Sequence, residues 1–272
     1  MKVFCILSDE RVFRSKSPAI FSHVFKRIGI NSIYVPFKVM PGDIGSAMQS
    51  LKTFNIEGAN ITVPYKESVL PYMNVLSEGA KIVGAVNTII RNGDELKGYN
   101  TNAIGFMHTL DEAGFNATDR AALVFGTGGL ARAVVFILNW LSADSVIIAG
   151  RTKEHLDKIT KKSRCQAKNV KTFDDRPFSA NIVVNTTSVS SEEESPELAQ
   201  IVSRLNLNDC ELVVDFNYGR KNNFWRDMAE KKGIKFINGF TPLAHSARQI
   251  LLLWTKIDVG PEEFITAIKQ NI

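Results

Sequence analysis

The sequence of 272 residues predicts an α/β fold divided into two domains. Strand-like and helix-like runs alternate along the chain, which predicts mainly parallel sheets with right-handed crossovers. A second strand–helix series begins near residue 120 and opens on a glycine-rich turn. An apolar helical segment at 242–257 follows the last short strand and suits packing back on the first domain. We therefore expect an N-terminal α/β domain and a C-terminal Rossmann domain that binds a dinucleotide.

The first series predicts three strands, three helices and a hairpin. Ser17-Pro18 places a serine at an N-cap and a proline at N1, so a helix should begin there and end before Gly29. Asn92-Gly93-Asp94 is typical of a tight turn between two strands. The predicted strands cover 3–7, 33–37, 58–63, 85–91 and 96–100, and the further helices cover 45–54 and 68–78.

The second series predicts a Rossmann domain. Its strands are expected at 122–125, 145–149, 182–185, 212–216 and 235–238, and its first helix at 131–141. The acidic segment at 190–196 is interpreted as a solvated loop. A boundary near Gly105, in or beside a connecting helix, divides the chain into residues 1–104 and 105–240. The C-terminal segment 241–272 then packs on the first domain.

Charge and cysteine content narrow the functional classes. The 33 basic and 28 acidic residues give a net charge of +5 without a basic run, which suits an acidic small molecule as well as nucleic acid. Three widely spaced cysteines without a CxxC pair argue against a disulfide framework or a zinc site and favour a reducing compartment, so we expect a cytoplasmic protein. No stretch reaches the ~18 apolar residues of a membrane span. We expect no metal, nucleic-acid or membrane partner, and monomer and homodimer both remain open.

A lysine follows the third predicted strand at a position suited to proton transfer. Pro64 ends the β-like run at 61–63, and Lys66 comes two residues later. Lysine is rarely buried unless it is paired or functional, and a lysine past a strand end can give a proton to a substrate or take one from it. A solvated turn lysine is the alternative for this short segment.

The turn that opens the second series has the pattern of a dinucleotide site. Gly126 permits a tight turn, Gly128 lets the backbone approach a pyrophosphate at the helix N-terminus, and Ala131 allows close helix–strand packing. The next strand ends in Gly150-Arg151-Thr152-Lys153 with no acid before Glu154, which favours the 2′-phosphate of NADP over the ribose hydroxyls of NAD. The alternatives are a simple glycine-rich turn and solvated basic residues.

Three segments together resemble the shikimate dehydrogenase family. They are Ser15-Lys16-Ser17-Pro18, the run from Asn60 to Lys66, and Gly84-Ala85-Val86-Asn87-Thr88. The glycine turn, Gly150-Arg151-Thr152 and the helix with Trp254 also fall where that family has its own. The resemblance covers nearly the whole chain. It implies a substrate-binding first domain, a Rossmann domain for NADP(H), and reversible reduction of 3-dehydroshikimate to shikimate.

The resemblance also implies roles for individual residues. Lys66 acts as the acid/base, and Asn102 stands at the second catalytic position. The implied contacts to a shikimate-like cyclic hydroxy acid are Ser15, Ser17, Thr62, Asn87, Asn102, Tyr218 and Ser246. The expected cofactor residues are Gly126, Thr127, Gly128, Gly129, Leu130, Ala131, Gly150, Arg151, Thr152, Lys153, Thr186 and Gly239. Ser17 as a helix cap alone and Asn87 as a partner of backbone groups are the alternatives at those positions.

The chain departs from the family pattern at several substrate-side positions. Asn102 stands where the family's G-x-N-T-D-G-x-G-F run has an aspartate, so a carboxylate that would favour a charged Lys66 is missing. Ser246 stands at the position of a glutamine. The family's N-A-T-P-x-G-M loop is Asn185-Thr-Thr-Ser-Val-Ser-Ser191 here, and its D-x-x-Y-x-P run is Asp215-Phe-Asn-Tyr-Gly-Arg220.

Three explanations of Asn102 are open. It is an engineered substitution, against which the neighbouring departure at Ala103 argues; a natural variant in which Lys66 acts alone; or the mark of a divergent member with another substrate. The functional hypotheses are accordingly a shikimate dehydrogenase, a related enzyme for quinate or an aminoshikimate, and a weakly active or non-catalytic protein that binds NADP and a ligand.

Overall fold

The computed structural model describes residues 1–173 and 180–271, which fold into two compact units. Unit 1 contains Met1–Gly105 and the C-terminal segment from Ala244, and unit 2 contains Phe106–Leu243. Both changes of unit fall inside helices, α4 (Thr101–Ala113) and α9 (Phe240–Thr255). Within the described ranges, no helix is long and apolar enough to cross a membrane, and no group of acidic, histidine and cysteine side chains could hold a metal ion.

Unit 1 is built on a mixed six-stranded sheet in the order β2-β1-β3-β5-β6-β4. The strands are β1 (Lys2–Ser8), β2 (Ser32–Lys38), β3 (Gly58–Ile61), β4 (Val75–Leu76), β5 (Thr88–Asn92) and β6 (Glu95–Tyr99). The helices that complete it are α1 (Ser17–Arg27), α2 (Ile44–Thr53), α3 (Glu78–Val83) and α10 (Pro261–Asn271). The expected parallel order holds for β2-β1-β3, whereas the hairpin β5-β6 makes the rest of the sheet mixed.

The sequence predictions in unit 1 need two corrections. Ser17 is not an N-cap, because α1 begins at Ser17 itself, after Lys16, and the Ser17 amide donates to Ser15 Oγ at 3.2 Å. The helix predicted over 68–78 is wrong. Pro71 supplies no amide hydrogen for a continuing helix, and residues after it pair with β6, with Asn74 N donating to Leu96 O at 2.9 Å.

The C-terminal helix of unit 1 completes its aromatic core. Trp254 of α9 stacks on Phe4 with ring centroids 4.5 Å apart, and its indole Nε1 donates to the Ile89 carbonyl at 3.0 Å. Gly58 leaves room for this ring, because an added Cβ would lie 2.2 Å from the indole nitrogen. Trp254 thus packs this helix against β1 and β5.

Unit 2 is a parallel six-stranded sheet in the order β12-β11-β10-β7-β8-β9. The strands are β7 (Ala121–Phe125), β8 (Ser145–Gly150), β9 (Gln166–Asn169), β10 (Ile182–Asn185), β11 (Leu212–Asp215) and β12 (Lys235–Ile237). The helices are α5 (Gly129–Trp140), α6 (Lys153–Thr160), α7 (Pro196–Arg204) and α8 (Phe224–Lys231). Strands β10 and β11 are buried throughout, as expected for the centre of a parallel sheet covered on both faces.

Candidate active site

One edge of the sheet in unit 1 collects the polar residues singled out in the sequence. Strands β1 and β3 are parallel and both end at this edge. Strand β5 is antiparallel to β3 and therefore begins there, directly after Asn87, and β6 ends there before Asn100. The carboxyl ends of parallel strands are the usual place for ligands in α/β folds.

Lys66 is held at this edge through its backbone and its neighbour. The Val86 amide donates to the Lys66 carbonyl at 2.7 Å. Tyr65, which is 3% exposed, donates its hydroxyl to the Val39 carbonyl at 2.6 Å. These bonds fix the chain on both sides of Lys66, so the base of its side chain has a defined position.

The ammonium group of Lys66 is in an environment that disfavours its charge. The side chain is only partly exposed, and within residues 1–173 and 180–271 it has neither an ion pair nor a hydrogen bond. Desolvation by the surrounding protein lowers its pKa from 10.5 to about 8. A lysine with a pKa close to neutrality can both give and take a proton under physiological conditions.

Asn87 lies at the centre of a buried polar network next to this lysine. Its Nδ2 donates to Thr101 Oγ1 at 2.9 Å and to Asn102 Oδ1 at 3.0 Å. Its Oδ1 accepts from the Thr101 amide at 2.8 Å. Both N–H donors of the Asn87 side chain are thus bound to other residues of the protein. This agrees with the alternative in which Asn87 serves mainly to satisfy internal hydrogen-bonding groups.

Asn102 and Ser246 join the same network from two different helices. Asn102 is partly exposed and accepts from Asn87, while its Nδ2 has no partner in the described chain. Ser246 of α9 is 4% exposed and shares a hydrogen bond of 2.9 Å with Thr101 Oγ1. The Asn102 amide can therefore donate hydrogen bonds to a ligand, whereas the Ser246 hydroxyl is already hydrogen-bonded to Thr101.

Thr62 directly follows β3, where its amide donates to the Leu7 carbonyl at 3.2 Å, and Ser15 and Ser17 follow the short helical turn after β1. The hydroxyl of Ser17 is hydrogen-bonded to the buried Tyr34, whose own hydroxyl donates to Asn60 Oδ1 at 2.8 Å. Asn60 Nδ2 continues to the Asn87 carbonyl at 3.2 Å. The structure thus brings six predicted substrate residues and Lys66 onto one unit, with Ser17 linked by polar contacts to Asn87. Tyr218, the remaining predicted contact, lies in unit 2.

The glycine-rich turn of unit 2 has the geometry of a phosphate cradle. Gly126 has φ of +116°, and an added Cβ would lie 2.3 Å from Thr186 Oγ1, so only glycine fits. Gly128 is the exposed residue before α5, and an added Cβ there would meet nothing within 4 Å. Helix α5 begins two residues earlier than predicted, at Gly129, and presents its N-terminal amides beside this open space.

A cavity of about 330 Å³ lies at this turn. Six of the predicted cofactor residues line it: Gly126, Thr127, Gly128, Gly150, Arg151 and Thr186. The other six, Gly129, Leu130, Ala131, Thr152, Lys153 and Gly239, are not part of its lining. Ala131 lies in the first turn of α5 and is fully buried, as the packing role expected for the third position of the motif requires.

Sequence reasoning missed the wall of this cavity that α7 provides. Glu197, Leu198 and Ile201 of this helix line the cavity with the capping residue Ser195. The interpretation of 190–196 as a solvated loop therefore overlooks the start of a helix. The signal was present in Ser195-Pro196-Glu197, because the serine accepts from the Leu198 amide and a proline follows at the first helical position.

Basic side chains at the end of β8 are available for an anion. Arg151 lines the cavity, and Arg151 and Lys153 are both exposed. Neither side chain has an acidic partner among the described residues, whereas the nearby Lys158 pairs with Glu154 at 2.7 Å. Thr152 stands before α6 without capping it by its side chain. This end of the cavity therefore suits a phosphate.

Tyr218 and Gly239 lie together elsewhere in unit 2. The ring of Tyr218 packs against Phe240 with centroids 5.5 Å apart, and burial raises the pKa of its hydroxyl. The Gly239 amide donates to the Asn217 carbonyl at 3.0 Å, and an added Cβ would lie 2.2 Å from the Phe216 carbonyl oxygen. Gly239 thus allows the loop that carries Tyr218 to pack against the start of α9.

The class of protein follows from these two sites. Unit 1 carries a partly buried lysine on the same sheet edge as several amide and hydroxyl side chains. Unit 2 is built on a parallel sheet, and at one end of that sheet lie a glycine-rich turn, a helix N-terminus and basic side chains without acidic partners. A chain that combines them has the organisation of a dinucleotide-dependent oxidoreductase.

Comparison with known proteins gives the family. Residues 8–89 match the shikimate dehydrogenase substrate binding domain. The shikimate dehydrogenase (NADP(+)) of Caldanaerobacter subterraneus subsp. tengcongensis is 34% identical over 93% of this chain and 91% of its own, and that of Halothermothrix orenii is 31% identical over 95% and 92%. The chain belongs to the shikimate dehydrogenase family.

The fold of this chain matches that of a solved family structure over the full length of both chains. Shikimate 5-dehydrogenase from Thermus thermophilus, in complex with NADP(H) and shikimate, superposes with a TM-score of 0.87 at 27% identity, and the match covers 100% of both chains. The predicted fold class and the family resemblance are both confirmed.

Proposed function

We propose that this chain catalyses the NADP-dependent, reversible reduction of 3-dehydroshikimate to shikimate. The observation that carries the proposal is Lys66, a partly buried lysine without a counter-ion whose pKa is lowered to about 8, in a chain at least 30% identical to named NADP(+)-dependent shikimate dehydrogenases. Unit 1 is the substrate-binding domain and unit 2 the NADP-binding domain in this proposal. The three free cysteines support a place in the reducing cytoplasm.

Lys66 supplies and removes the proton of the reaction. When bound, NADPH would supply the hydride that reduces the carbonyl carbon. Lys66 Nζ gives its proton to the carbonyl oxygen as the hydroxyl forms. In the reverse direction the neutral amine accepts the hydroxyl proton. A lysine with a pKa near 8 is charged enough for the first role at neutral pH and loses its proton in mildly basic solution.

The other polar residues of unit 1 bind and orient the ring. Ser15 and Ser17 suit a carboxylate, because hydroxyl groups donate to its oxygens. Thr62 and the unpartnered Nδ2 of Asn102 suit ring hydroxyls. Asn87 acts mainly through Asn102, since its own donors are bound to Thr101 and Asn102.

The cofactor is assigned to the cavity of unit 2. The cradle at Gly126 and Gly128 fits the pyrophosphate, and the partner-free Arg151 fits the 2′-phosphate, with Lys153 adding charge. Thr186 packs against Gly126 and lines the same cavity. Arg151 in place of an acid favours NADP over NAD.

A related ring acid is the second candidate substrate. Positions 102 and 246 hold an amide and a short hydroxyl, and both take part in the Asn87–Thr101 network. A site that loses partners for a particular substrate hydroxyl discriminates differently among similar acids. Quinate and an aminoshikimate are the substrates to compare.

One assay separates these candidates. The purified chain is mixed with NADP+ and with shikimate, quinate or aminoshikimate in turn, and absorbance of the reduced cofactor is followed. We expect the largest kcat/KM with shikimate and its loss in Lys66→Ala. A larger kcat/KM with one of the other acids would reassign the substrate. Binding of NADP+ without turnover of any acid would identify a ligand-binding protein instead.

A further inference from the structure

A fully buried carboxylate organises two loops beside the cofactor cavity. Asp215 is 0% exposed and ends β11, directly opposite Asn185 at the end of the neighbouring strand β10. The loop after β10, residues 186–195, supplies cavity-lining residues that include Thr186 and Ser188. The loop after β11, residues 216–223, carries Tyr218. A residue that holds the ends of β10 and β11 in place therefore also holds the start of both loops in place.

The hydrogen bonds of Asp215 reach both loops at once. Its Oδ1 accepts from Asn185 Nδ2 at 2.8 Å and from the Asn217 amide at 3.0 Å. Its Oδ2 accepts from Ser190 Oγ and from Asn223 Nδ2, each at 2.7 Å. All these partners are neutral donors. Only a group that accepts on every lone pair can satisfy them together, which is what a carboxylate does.

Further bonds tie the loops directly to each other. Asn217 Nδ2 donates to the Thr187 carbonyl and to Ser190 Oγ, each at 2.8 Å. Arg220 of the second loop pairs with Glu194 of the first at 2.8 Å, and Glu194 in turn accepts from the Ser190 amide at 2.8 Å. The two loops therefore form one hydrogen-bonded body around Asp215.

Two of these residues stand where the family pattern differs. Ser190 occupies the glycine position of the N-A-T-P-x-G-M run, and Arg220 occupies the proline position of the D-x-x-Y-x-P run. Glycine has no hydroxyl to donate to a carboxylate, and proline has no charge to pair with an acid. The residues of the family pattern could not make the bonds that run here from Ser190 to Asp215 and from Arg220 to Glu194.

We infer that Asp215, together with Ser190 and Asn217, is a positioning hub that sets the cofactor-contacting conformation of the loop at 186–189. The inference rests on the proposed assignment of NADP to this cavity. None of the three residues lines the cavity. Asp215 acts through Asn185, whose Oδ1 accepts from Thr187 Oγ1 at 2.7 Å and from the Thr187 amide at 3.0 Å. Asn217 also donates directly to the Thr187 carbonyl.

The test measures the dissociation constant of NADPH by fluorescence in Ser190→Ala and Asp215→Asn, with melting temperatures recorded alongside. Removal of the Ser190 hydroxyl should raise this constant roughly 3- to 10-fold, the effect of one or two hydrogen bonds. Asp215→Asn places an amide NH2 against donors and should raise it by roughly tenfold or more.

Two controls separate positioning from stability. Val184→Ala removes buried volume from β10 without touching a loop hydrogen bond, so it should lower the melting temperature and leave the NADPH constant unchanged. Ser145→Ala removes a hydroxyl at the opposite end of the sheet and should change neither. If the Asp215→Asn variant does not fold, the NADPH dissociation constant of Ser190→Ala alone supports or refutes the inference.

The outcomes are distinct from those of the activity assay. Unchanged NADPH binding in Ser190→Ala and Asp215→Asn, an equal loss in Val184→Ala, or an unmodified chain that does not bind NADPH would overturn the hub. An unmodified chain that binds NADPH but turns over none of the ring acids would overturn the proposed reaction, while the binding measurements would still support or refute the hub.

Discussion

Replacing Lys66 by methionine should stabilise the protein at neutral pH while it abolishes turnover. The pKa of Lys66 is about 8 in the folded chain against an ordinary 10.5, because burial disfavours the ammonium. The difference corresponds to about 3 kcal/mol of unfolding free energy at most, since a partly exposed side chain keeps some solvation. Methionine retains the apolar stem and removes the charge.

The pH dependence gives this prediction its sign. Below about pH 8 both states hold the proton, and the folded state bears the full cost of the buried charge. Between about 8 and 10.5 the unfolded chain binds more protons than the folded chain, so the stability of the unmodified protein rises with pH. The gain in Lys66→Met should therefore be largest near neutrality and shrink as the pH approaches 10.5.

The assay is urea unfolding followed by circular dichroism at about pH 7 and about pH 10, with hydrogen exchange of the β1 and β3 amides to locate the change in unit 1. Lys26→Met, at an exposed position of α1, is the matched control and should show no such pH-dependent gain. A Lys66→Met protein that is no more stable than the unmodified chain near neutral pH, or one whose gain is the same at both pH values, would refute the reasoning.

Three further predictions concern the two sites. Asn102→Asp places a carboxylate at the position where the family pattern has one. It should move the inflection in the pH profile of kcat for oxidation from near 8 upward by roughly one pH unit. An unmoved inflection would mean that residues 66 and 102 do not interact. Arg151→Ala should raise the KM for NADP+ by roughly tenfold and leave the KM for NAD+ nearly unchanged. Lys158→Ala, at a lysine that is paired with Glu154, is the control. An equal rise in KM for both cofactors would show that Arg151 does not recognise the 2′-phosphate. Gly126→Ala should lower both the melting temperature and NADPH affinity, because its Cβ meets Thr186 Oγ1, whereas Gly128→Ala should lower affinity alone; a matching loss of melting temperature in both variants would contradict the cradle.

The central strands could be predicted from the sequence because their composition leaves little choice. Strands β10 and β11 carry Ile182-Val-Val and Leu212-Val-Val, continuous apolar runs that a buried parallel strand requires. Strand β9 was missed for the opposite reason. Its residues, Gln166 to Asn169, are polar and lie at the edge of the sheet, where pairing with β8 rather than side-chain pattern defines the strand.

The residues of the candidate site could be predicted from the polar residue types at the ends of strands. The hydrogen bonds that connect these residues could not. The contact of Asn60 with the Asn87 carbonyl joins residues 27 apart, and that of Thr101 with Ser246 joins residues 145 apart. No local pattern predicts such pairs, because they depend on the register of strands and on where α9 returns. The missing carboxylate predicts only that the pKa of Lys66 is lower than in other family members. The lowering from 10.5 to about 8 comes from desolvation, which depends on the packing around the side chain.

The return of α9 to the first unit has a consequence for biosynthesis. Trp254 stacks on Phe4 and donates to the Ile89 carbonyl, so the aromatic core of unit 1 is incomplete until α9 has been synthesised. Unit 2 is contiguous and leaves the ribosome in full before that segment does. Domains usually mature in the order of their synthesis, N-terminal first. The part of unit 1 that is translated first can therefore complete its core only after unit 2 has been made, because Phe4 lacks its stacking partner until then.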